Sequence, residues 1–377
     1  MKKLLKKALA LAIALCIIIS CLSGCTQVKV TEIGNPHSER FTEGEFACTA
    51  WDMTVWNGKL YIGGGDYDLN KGPTDIWSYD VEEKEWVKSG RVNGEQVSRF
   101  TVIGDKLFAP GIDTRGVDWE HTDQDFYGDY YSLDGEEWTA HDKLPGAIHN
   151  FDMVECNGKI FAGLGIKNGA KAVACSSDGG ETFQGVEFFK DGDPVDTAGS
   201  EFIRVYELFV KDNQTYALLR YGERSHYELF RYDGEKFDFY SDWSGKFYGA
   251  QPTYDLFSGK AVVNGKVYFA YGNLFSTEDM DTIERVSVKD GAMIVDLAVI
   301  GGRLFVLCLE REQEEYRISV WVESKITESG FREVFYFNYE IPVLSFAYHK
   351  SHFYFGAGSR TVMHEKNGNV LCVRYKV

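Results

Sequence analysis

The sequence predicts an all-β chain that forms a seven-bladed β-propeller of four-stranded antiparallel blades. In segment 54–65 an Asn57-Gly58 pair separates two alternating apolar runs, which is the strongest short-range signal of a β-hairpin. The pattern recurs every 40 to 50 residues or so. The seven copies close on the aromatic residues Tyr61, Phe108, Phe161, Tyr216, Tyr268, Phe305 and Tyr354. Short strands at this period are typical of propeller blades, so seven copies predict seven blades.

Each copy is expected to supply four strands. In the first copy they are predicted near residues 53–56, 60–63, 76–80 and 85–88. The last copy has four candidates of its own, near residues 344–348, 353–357, 361–365 and 370–375. Segment 27–33 also alternates between polar and apolar residues and is a further candidate strand. The sequence therefore leaves open whether an N-terminal strand or a complete last copy closes the ring.

The beginning of the chain has the pattern of a secretory signal. A basic start at 1–7 precedes an apolar run at 8–19 that is too short for an ordinary membrane span. The following residues Leu22-Ser23-Gly24-Cys25 resemble the lipobox of bacterial lipoproteins. The resemblance implies cleavage before Cys25 and acylation of that cysteine. An N-terminal anchor helix and a plain cleaved signal are the alternatives.

This resemblance also predicts the domain organisation and the location of the protein. A lipoprotein signal peptide is expected at 1–24, a lipidated N-terminus with a tether at 25–45, and the β-propeller at 46–377. The tether is expected because 26–45 is polar and rich in turn residues. The mature protein is then extracytoplasmic, held at a bacterial cell membrane by a lipid on Cys25, and we expect a monomer.

Net charge excludes one class of partner. The 377 residues include 57 acidic and 40 basic side chains, which gives a formal net charge of −17. Segment 1–24 carries four lysines and no acid, so the mature chain would carry −21. Because no basic run offsets this charge, nucleic acid is excluded as a partner.

The cysteines do not form a metal-binding pattern. After Cys25 the chain has an odd number of them, without Cys-x-x-Cys spacing or a histidine-rich segment: Cys48, Cys156, Cys175, Cys308 and Cys372. We interpret them as small buried residues, and one disulfide remains an open alternative. No metal and no cofactor are predicted.

A second repeated motif marks the outer turns. Residues 176–183 read Ser-Ser-Asp-Gly-Gly-Glu-Thr-Phe, and shorter versions occur at 132–138 and 232–237. An aspartate at the third position accepts hydrogen bonds from the amides of its own turn. The motif resembles the Asp-box of sialidase-like propellers, and the repeat architecture resembles sialidase-like and kelch-like proteins. The resemblance implies that Asp178 and Asp134 are structural.

The face opposite the tight turns carries the longer loops, at 111–129 and 241–260. Propellers often bind ligands on such a face. Trp119, Trp243 and Tyr248 would offer flat rings on which a sugar or a peptide stacks. The alternative is that these rings pack the loops against the blades.

Alignment of the copies on their turns gives a second candidate site. The position six residues before Gly58 is polar in most copies, whereas the next position is mostly apolar. The polar set should therefore line the central channel and ring its mouth on the long-loop face. Its charged members are Asp52, Arg99, Asp152, Glu207 and Asp296, and Gly259 and Ser345 complete it. A solvated channel without a ligand is the alternative.

These observations predict a non-catalytic propeller that binds or scaffolds a glycan, a peptide or an envelope protein. The resemblance to sialidases also raises the question of catalysis. Their Arg-Ile-Pro motif is missing, and Arg99 is the one arginine at the channel positions. An enzyme of the glycoside hydrolase type, acting on a neutral glycan, is the alternative function. No catalytic residue is assigned.

Overall fold

The computed structural model describes residues 26–38, 49–65, 72–113, 127–166, 171–197, 200, 203–222, 226–247, 258–325, 327, 330–359 and 364–377. Within these residues the chain is built of β-strands joined by turns, as the alternating pattern predicts. The same residues contain no apolar helix of the length that a membrane crossing requires. The fold is a β-propeller.

The strands follow one another in chain order. The first is β1 (Thr31–Gly34). Two four-stranded sheets follow, β2 (Asp52–Trp56), β3 (Lys59–Gly63), β4 (Thr74–Asp80), β5 (Glu85–Val92), and then β6 (Thr101–Ile103), β7 (Lys106–Pro110), β8 (Tyr127–Asp134), β9 (Glu137–Pro145). A larger sheet contains β10 (Ala147–Cys156), β11 (Lys159–Ile166), β12 (Val173–Ser176), β13 (Gln184–Val186), β14 (Phe188–Lys190), β15 (Asp193–Pro194), β16 (Ile203–Lys211), β17 (Gln214–Arg220), β18 (Tyr227–Tyr232), β19 (Phe237–Asp242).

Two more four-stranded sheets come next. They are β20 (Gly259–Val263), β21 (Lys266–Tyr271), β22 (Asn273–Thr277), β23 (Glu284–Val286), and β24 (Met293–Ile300), β25 (Arg303–Glu312), β26 (Glu315–Glu323), β27 (Phe331–Tyr339). The last sheet contains β28 (Val343–His349), β29 (His352–Ala357), β30 (Val370–Arg374) and, at its edge, β1.

The prediction of seven separate four-stranded blades is wrong. The described strands form five four-stranded sheets and one ten-stranded sheet. The end of β11 pairs with the start of β16, where Ile166 lies opposite Ile203. In addition, β14 runs parallel to β19 and adds a strand beyond the repeat. Two sequence repeats are thereby joined through main-chain hydrogen bonds, which a count of hairpin turns cannot detect.

The predicted hairpin turns are confirmed. Asn57 and Gly58 have φ values of 47° and 79°, so both central residues of the turn between β2 and β3 are left-handed. Lys350 and Ser351 adopt the same conformation between β28 and β29 without a glycine. The turn geometry is therefore kept even where the favourable Asn-Gly pair is lost.

The hydrophobic core lies between neighbouring sheets and continues around the ring. The aromatic residue that closes each repeat is buried in every copy. Tyr354 of the last sheet packs in one cluster with Met53 and Leu60 of the first, which closes the ring. The N-terminal strand contributes to this closure, because β1 pairs with β30. The alternative strand at 361–365 lies partly outside the described residues.

The described cysteines Cys156, Cys175, Cys308 and Cys372 are free thiols. Burial raises the pKa of the Cys372 thiol to about 11. Cys156 and Cys308 are buried as predicted, whereas Cys175 and Cys372 are half-buried. Cys48 lies outside the described residues.

Candidate functional site

The first strands of successive repeats lie side by side around the centre of the molecule. β2 contacts β28, β10 contacts β16, and β24 contacts both β20 and β28. These strands bring the predicted polar positions together. We call the resulting group the central ring, and it consists of Asp52, Arg99, Asp152, Glu207, Lys260 and Asp296.

The aspartates of the central ring bind the backbone of the next repeat. Asp52 Oδ2 accepts a hydrogen bond from the amide of Phe100 at 2.5 Å. Asp152 Oδ2 accepts one from Leu208 at 2.8 Å. Asp296 repeats the contact with the amide of Phe346 at 2.9 Å. These carboxylates therefore tie neighbouring repeats together at the centre. Their predicted part in ligand binding stays a prediction.

Two cations neutralise one half of the ring. Arg99 Nη2 donates to Glu207 Oε1 at 2.6 Å, and Arg99 Nη1 lies 3.1 Å from Asp152 Oδ1. Lys260 Nζ contacts Asp152 and donates to the carbonyl oxygen of Leu208 at 2.7 Å. Asp152 and Glu207 are fully buried. These ion pairs satisfy charges that would otherwise be costly to bury.

Lys260 is the member of the ring that the sequence analysis did not assign to it. It occupies the position that is apolar in most repeats, next to Gly259. A Cβ atom on Gly259 would lie 2.8 Å from Asp296 Oδ1, so the packing there favours glycine. The sequence feature that could have assigned Lys260 to the ring is a lysine at a position that is apolar in most repeats.

The acids of the ring divide into two electrostatic groups. Burial alone would raise the pKa of Asp152, but Lys260 and Arg99 hold it below the ordinary value. Burial raises the pKa of Asp52 to about 6, although the amide of Phe100 and the charge of Arg99 oppose the shift. Burial and the charge of Asp52 raise the pKa of Asp296 well above its usual range. Asp52 and Asp296 therefore take up a proton more readily than an ordinary aspartate does.

The loop aromatics do not provide an exposed stacking surface where they are described. Trp243 is fully buried, donates its indole N–H to the carbonyl oxygen of Met280 and stacks on Phe269. It therefore packs its loop against the sheets, which is the alternative considered above. Trp119 and Tyr248 lie outside the described residues, as does Cys25.

The turn at Asp178 has the hydrogen bonds expected of a structural motif. Asp178 accepts from the amide and hydroxyl of Thr182 at 3.0 and 2.6 Å and from the hydroxyl of Ser176 at 2.7 Å. These donors lower the pKa of Asp178. A similar turn, which the sequence analysis missed, lies at Asp279, whose carboxylate accepts from the amides of Asp281 and Thr282.

A second polar group lies on the face opposite the hairpin turns. Its residues come from the starts of first strands, the ends of second strands and the adjoining loops. We call it the loop-face cluster, and it consists of Glu95, Asp113, His149, Arg204, Tyr206 and Arg220. The sequence analysis missed it, because polar residues at strand ends resemble ordinary loop residues.

One half of the loop-face cluster is acidic. The carboxyl group of Glu95 lies close enough to Asp113 to influence its pKa. Burial raises the pKa of Asp113. His149 Nε2 lies 3.2 Å from Asp113 Oδ1. Burial and the charge of Arg204 lower the pKa of His149 to about 3, so its imidazole is neutral at pH 7.

The other half is basic. Arg204 Nη1 and Arg220 Nη1 both donate to the hydroxyl of Tyr206, at 2.8 and 3.0 Å. The ring of Phe151 lies between the two halves, with its centroid 5.1 Å from that of His149 and 4.6 Å from that of Tyr206. The cluster thus combines two neighbouring carboxyl groups, a neutral imidazole and two guanidinium groups around an apolar ring. No group of acidic, histidine or cysteine side chains with metal-ligand geometry occurs among the described residues.

Comparison of the sequence with protein-family profiles and with curated proteins finds no match. Solved structures of similar shape are propellers of diverse proteins. One, from a crystal structure of the mitotic checkpoint complex, has a TM-score of 0.54 and 11% identity, covering 94% of this chain and 93% of that chain. The WD40 domain of Pan2 from Neurospora crassa has a TM-score of 0.54 and 10% identity, covering 93% and 96%.

An ulvan lyase of a polysaccharide lyase family, solved with a bound GlcA(1-4)Rha3S unit, has a TM-score of 0.50 and 12% identity. It covers 92% of this chain and 94% of that chain. Identities this low show the fold alone. Function therefore has to be argued from the residues of this chain.

The same substitution should have different effects at two positions of the central ring. We expect Asp152→Asn to destabilise the protein by about 2 kcal/mol or more, because it removes a buried partner of Lys260 and Arg99. Asp296→Asn should cost less at pH 7, because no basic side chain among the described residues forms an ion pair with Asp296 and its pKa is already raised. Urea unfolding of the two purified variants measures the difference. Equal losses of stability would contradict the division of the ring into two groups.

Stability should fall as the pH rises from about 4 to about 6. The pKa of Asp52 in the folded state is about 6, whereas the unfolded chain releases this proton near the ordinary aspartate value of 3.8. Between these values the folded state binds more protons, so raising the pH favours unfolding. Asp296 contributes in the same direction. Urea midpoints across this window should decline less in Asp52→Asn than in the parent, and parallel curves would refute the assignment.

Proposed function

We propose that this chain is a non-catalytic binding propeller, held as a monomer at the extracytoplasmic surface of a bacterial membrane. Its ligand is a glycan, a peptide or an envelope protein that docks on the loop face. The observation that carries the proposal is the loop-face cluster, which collects charged groups from separate segments of the chain. These groups are costly to bury together, and the sheets do not require them.

The contrast with the central ring supports this choice of site. In the ring, the acids accept hydrogen bonds from neighbouring backbone amides or pair with Arg99 and Lys260. Each of these contacts has a structural purpose. In the loop-face cluster, by contrast, Arg204 and Arg220 meet at a phenol hydroxyl. Two guanidinium groups at one hydroxyl are better suited to binding a ligand than to holding two sheets together.

The membrane anchor is proposed from the lipobox-like residues that end at Cys25. The chain immediately after them is bound to the propeller, because Thr26 O accepts a hydrogen bond from Tyr336 N and Val28 N donates to Tyr336 O. A lipid on Cys25 would therefore lie close to the rim of the propeller near β27. The protein would rest at the membrane with this edge, and its loop face would remain open to ligands.

The alternative is an enzyme that hydrolyses a neutral glycan. The observation in its favour is the neighbouring pair Glu95 and Asp113, in which burial raises the pKa of Asp113 as is expected of a catalytic acid. The spacing argues against it. Glycosidases hold their two carboxyl groups about 5 to 10 Å apart around the scissile bond, whereas these two interact directly with each other. A panel of chromogenic glycosides tests this alternative, with Glu95→Gln as the inactive reference.

Replacement of the lipid-bearing residue should release the protein from the membrane. In a bacterial host, we expect Cys25→Ala to leave the precursor unprocessed or to move the protein into the soluble extracytoplasmic fraction, because the acceptor of the acyl chain is gone. Membrane fractionation and labelling with a fatty acid analogue measure both outcomes. Unchanged labelling and fractionation would show that the anchor is not at Cys25.

Ligand binding should depend on the loop face and not on the turn face. We expect His149→Ala to abolish or strongly weaken capture of the partner, because it removes the partly exposed imidazole beside Asp113. His352→Ala is the matched control, since His352 begins β29 beside a hairpin turn on the opposite face. A glycan array and pull-down from envelope extract, with thermal unfolding as a check of folding, measure the effect. Equal capture by both variants would exclude the loop face.

A further inference from the structure

Arg220 is a buried cation without an acidic partner. It lies at the end of β17 and is 8% exposed. Its guanidinium donates one hydrogen bond, from Nη1 to the hydroxyl of Tyr206 at 3.0 Å. In the part of the chain that the structure describes, it forms no ion pair with a carboxylate. Guanidinium has five N–H donors, so most of its hydrogen-bonding capacity is unused at this position.

Other enclosed arginines of this protein are paired with acids. Arg99, with 14% of its side chain exposed, contacts Asp152 and Glu207. Arg317, with 13% exposed, contacts Glu310 and Glu333. Burying a charge without an opposite charge is expensive, and both of these residues obey that rule. Arg220 does not follow this rule, because its described hydrogen-bond partner is a neutral hydroxyl group.

The surroundings of Arg220 supply further donors in place of an acceptor. Arg204 Nη1 also donates to the hydroxyl of Tyr206, at 2.8 Å, so two positive groups meet at one neutral oxygen. The hydroxyl of Tyr206 accepts both bonds and therefore has its own proton left to donate. Two guanidinium groups and one phenol O–H converge at this point. This set is complementary to an oxyanion.

We infer that Arg204, Tyr206 and Arg220 form a binding site for a single oxyanion group, a carboxylate or a sulfate, of a ligand on the loop face. The ring of Phe151, which is 2% exposed, packs beside them, with Arg204 Cζ 5.8 Å from its centroid, and forms the apolar wall behind the group. The strong negative charge of the whole chain repels polyanions, so a ligand with one anionic group fits best. This inference names the ligand class of the proposed function and rests on it for the approach from the loop face.

Titration with simple probes tests the site directly. The protein of residues 26–377 is titrated with sodium glucuronate, sodium sulfate and glucose at one ionic strength, by calorimetry and by thermal shift. We expect binding of glucuronate or sulfate and none of glucose, because glucose has the same ring without the charge. The tighter of the two anions identifies the oxyanion. Binding should weaken as sodium chloride is raised. A flat response to both anions would overturn the inference.

Arg220→Met separates a ligand-binding role from a structural one. We expect at least a tenfold loss of anion affinity, together with unchanged or higher thermal stability without ligand, because an uncompensated buried charge is removed. Arg317→Met is the matched control and should destabilise the protein while leaving anion affinity unchanged. Tyr206→Phe, which keeps the ring and removes the hydroxyl, should weaken the anion several-fold. Unchanged affinity in both Arg220→Met and Tyr206→Phe would refute the site.

The outcomes also separate this inference from the proposed function. If a neutral glycan or a protein is captured in a His149-dependent manner while both anions fail to bind, the anion site is wrong and the binding function stands. If the anions bind through Arg220 while no partner is captured on the loop face, the anion site is supported and the proposed binding function is wrong.

Discussion

The centre of this propeller depends on hydrogen bonds from the backbone amides of one repeat to a carboxylate of the preceding repeat. Each sheet directs its first strand towards the centre, where that strand has an edge without a neighbour in its own sheet. Unpaired amides at a buried edge are costly. The carboxylates of Asp52, Asp152 and Asp296 satisfy them across the gap between repeats. Each of these bonds joins the first strand of one repeat to the backbone of the next, so together they also fix the spacing of the strands.

This solution creates an electrostatic problem, because it brings several acids to one small region. The chain answers it in two ways. Arg99 and Lys260 neutralise Asp152 and Glu207, whereas Asp52 and Asp296 have raised pKa values and take up protons more readily. Once these contacts are counted, the ring explains its own composition without a ligand. The loop-face cluster, which lies further along the same strands, is therefore the better candidate for a ligand-binding site.

Features with a local signature could be predicted from the sequence, and features made by contacts between repeats could not. The hairpin at Asn57 and the polar position at Asp152 recur with the repeat, so periodicity identifies them. The pairing of β11 with β16 leaves no such pattern, and the count of blades was wrong for that reason. Lys260 was missed because its partners Asp152 and Leu208 belong to other repeats. Arg220 was missed because a polar residue at the end of a strand resembles an ordinary loop residue. Trp243 looked like a loop residue, but the fold buries it.

Two arginines of the same molecule show why burial alone does not reveal a site. Arg99 and Arg220 are both largely enclosed, and both lose most of their hydration. Ion pairs with two carboxylates of the same chain compensate Arg99 for its lost hydration, so the fold explains its position. Arg220 donates to a tyrosine hydroxyl beside a second guanidinium group. This hydrogen bond compensates its lost hydration much less than an ion pair would. An apolar side chain would serve folding better at that point. An arginine at this position is consistent with the binding of a negatively charged group from outside the chain.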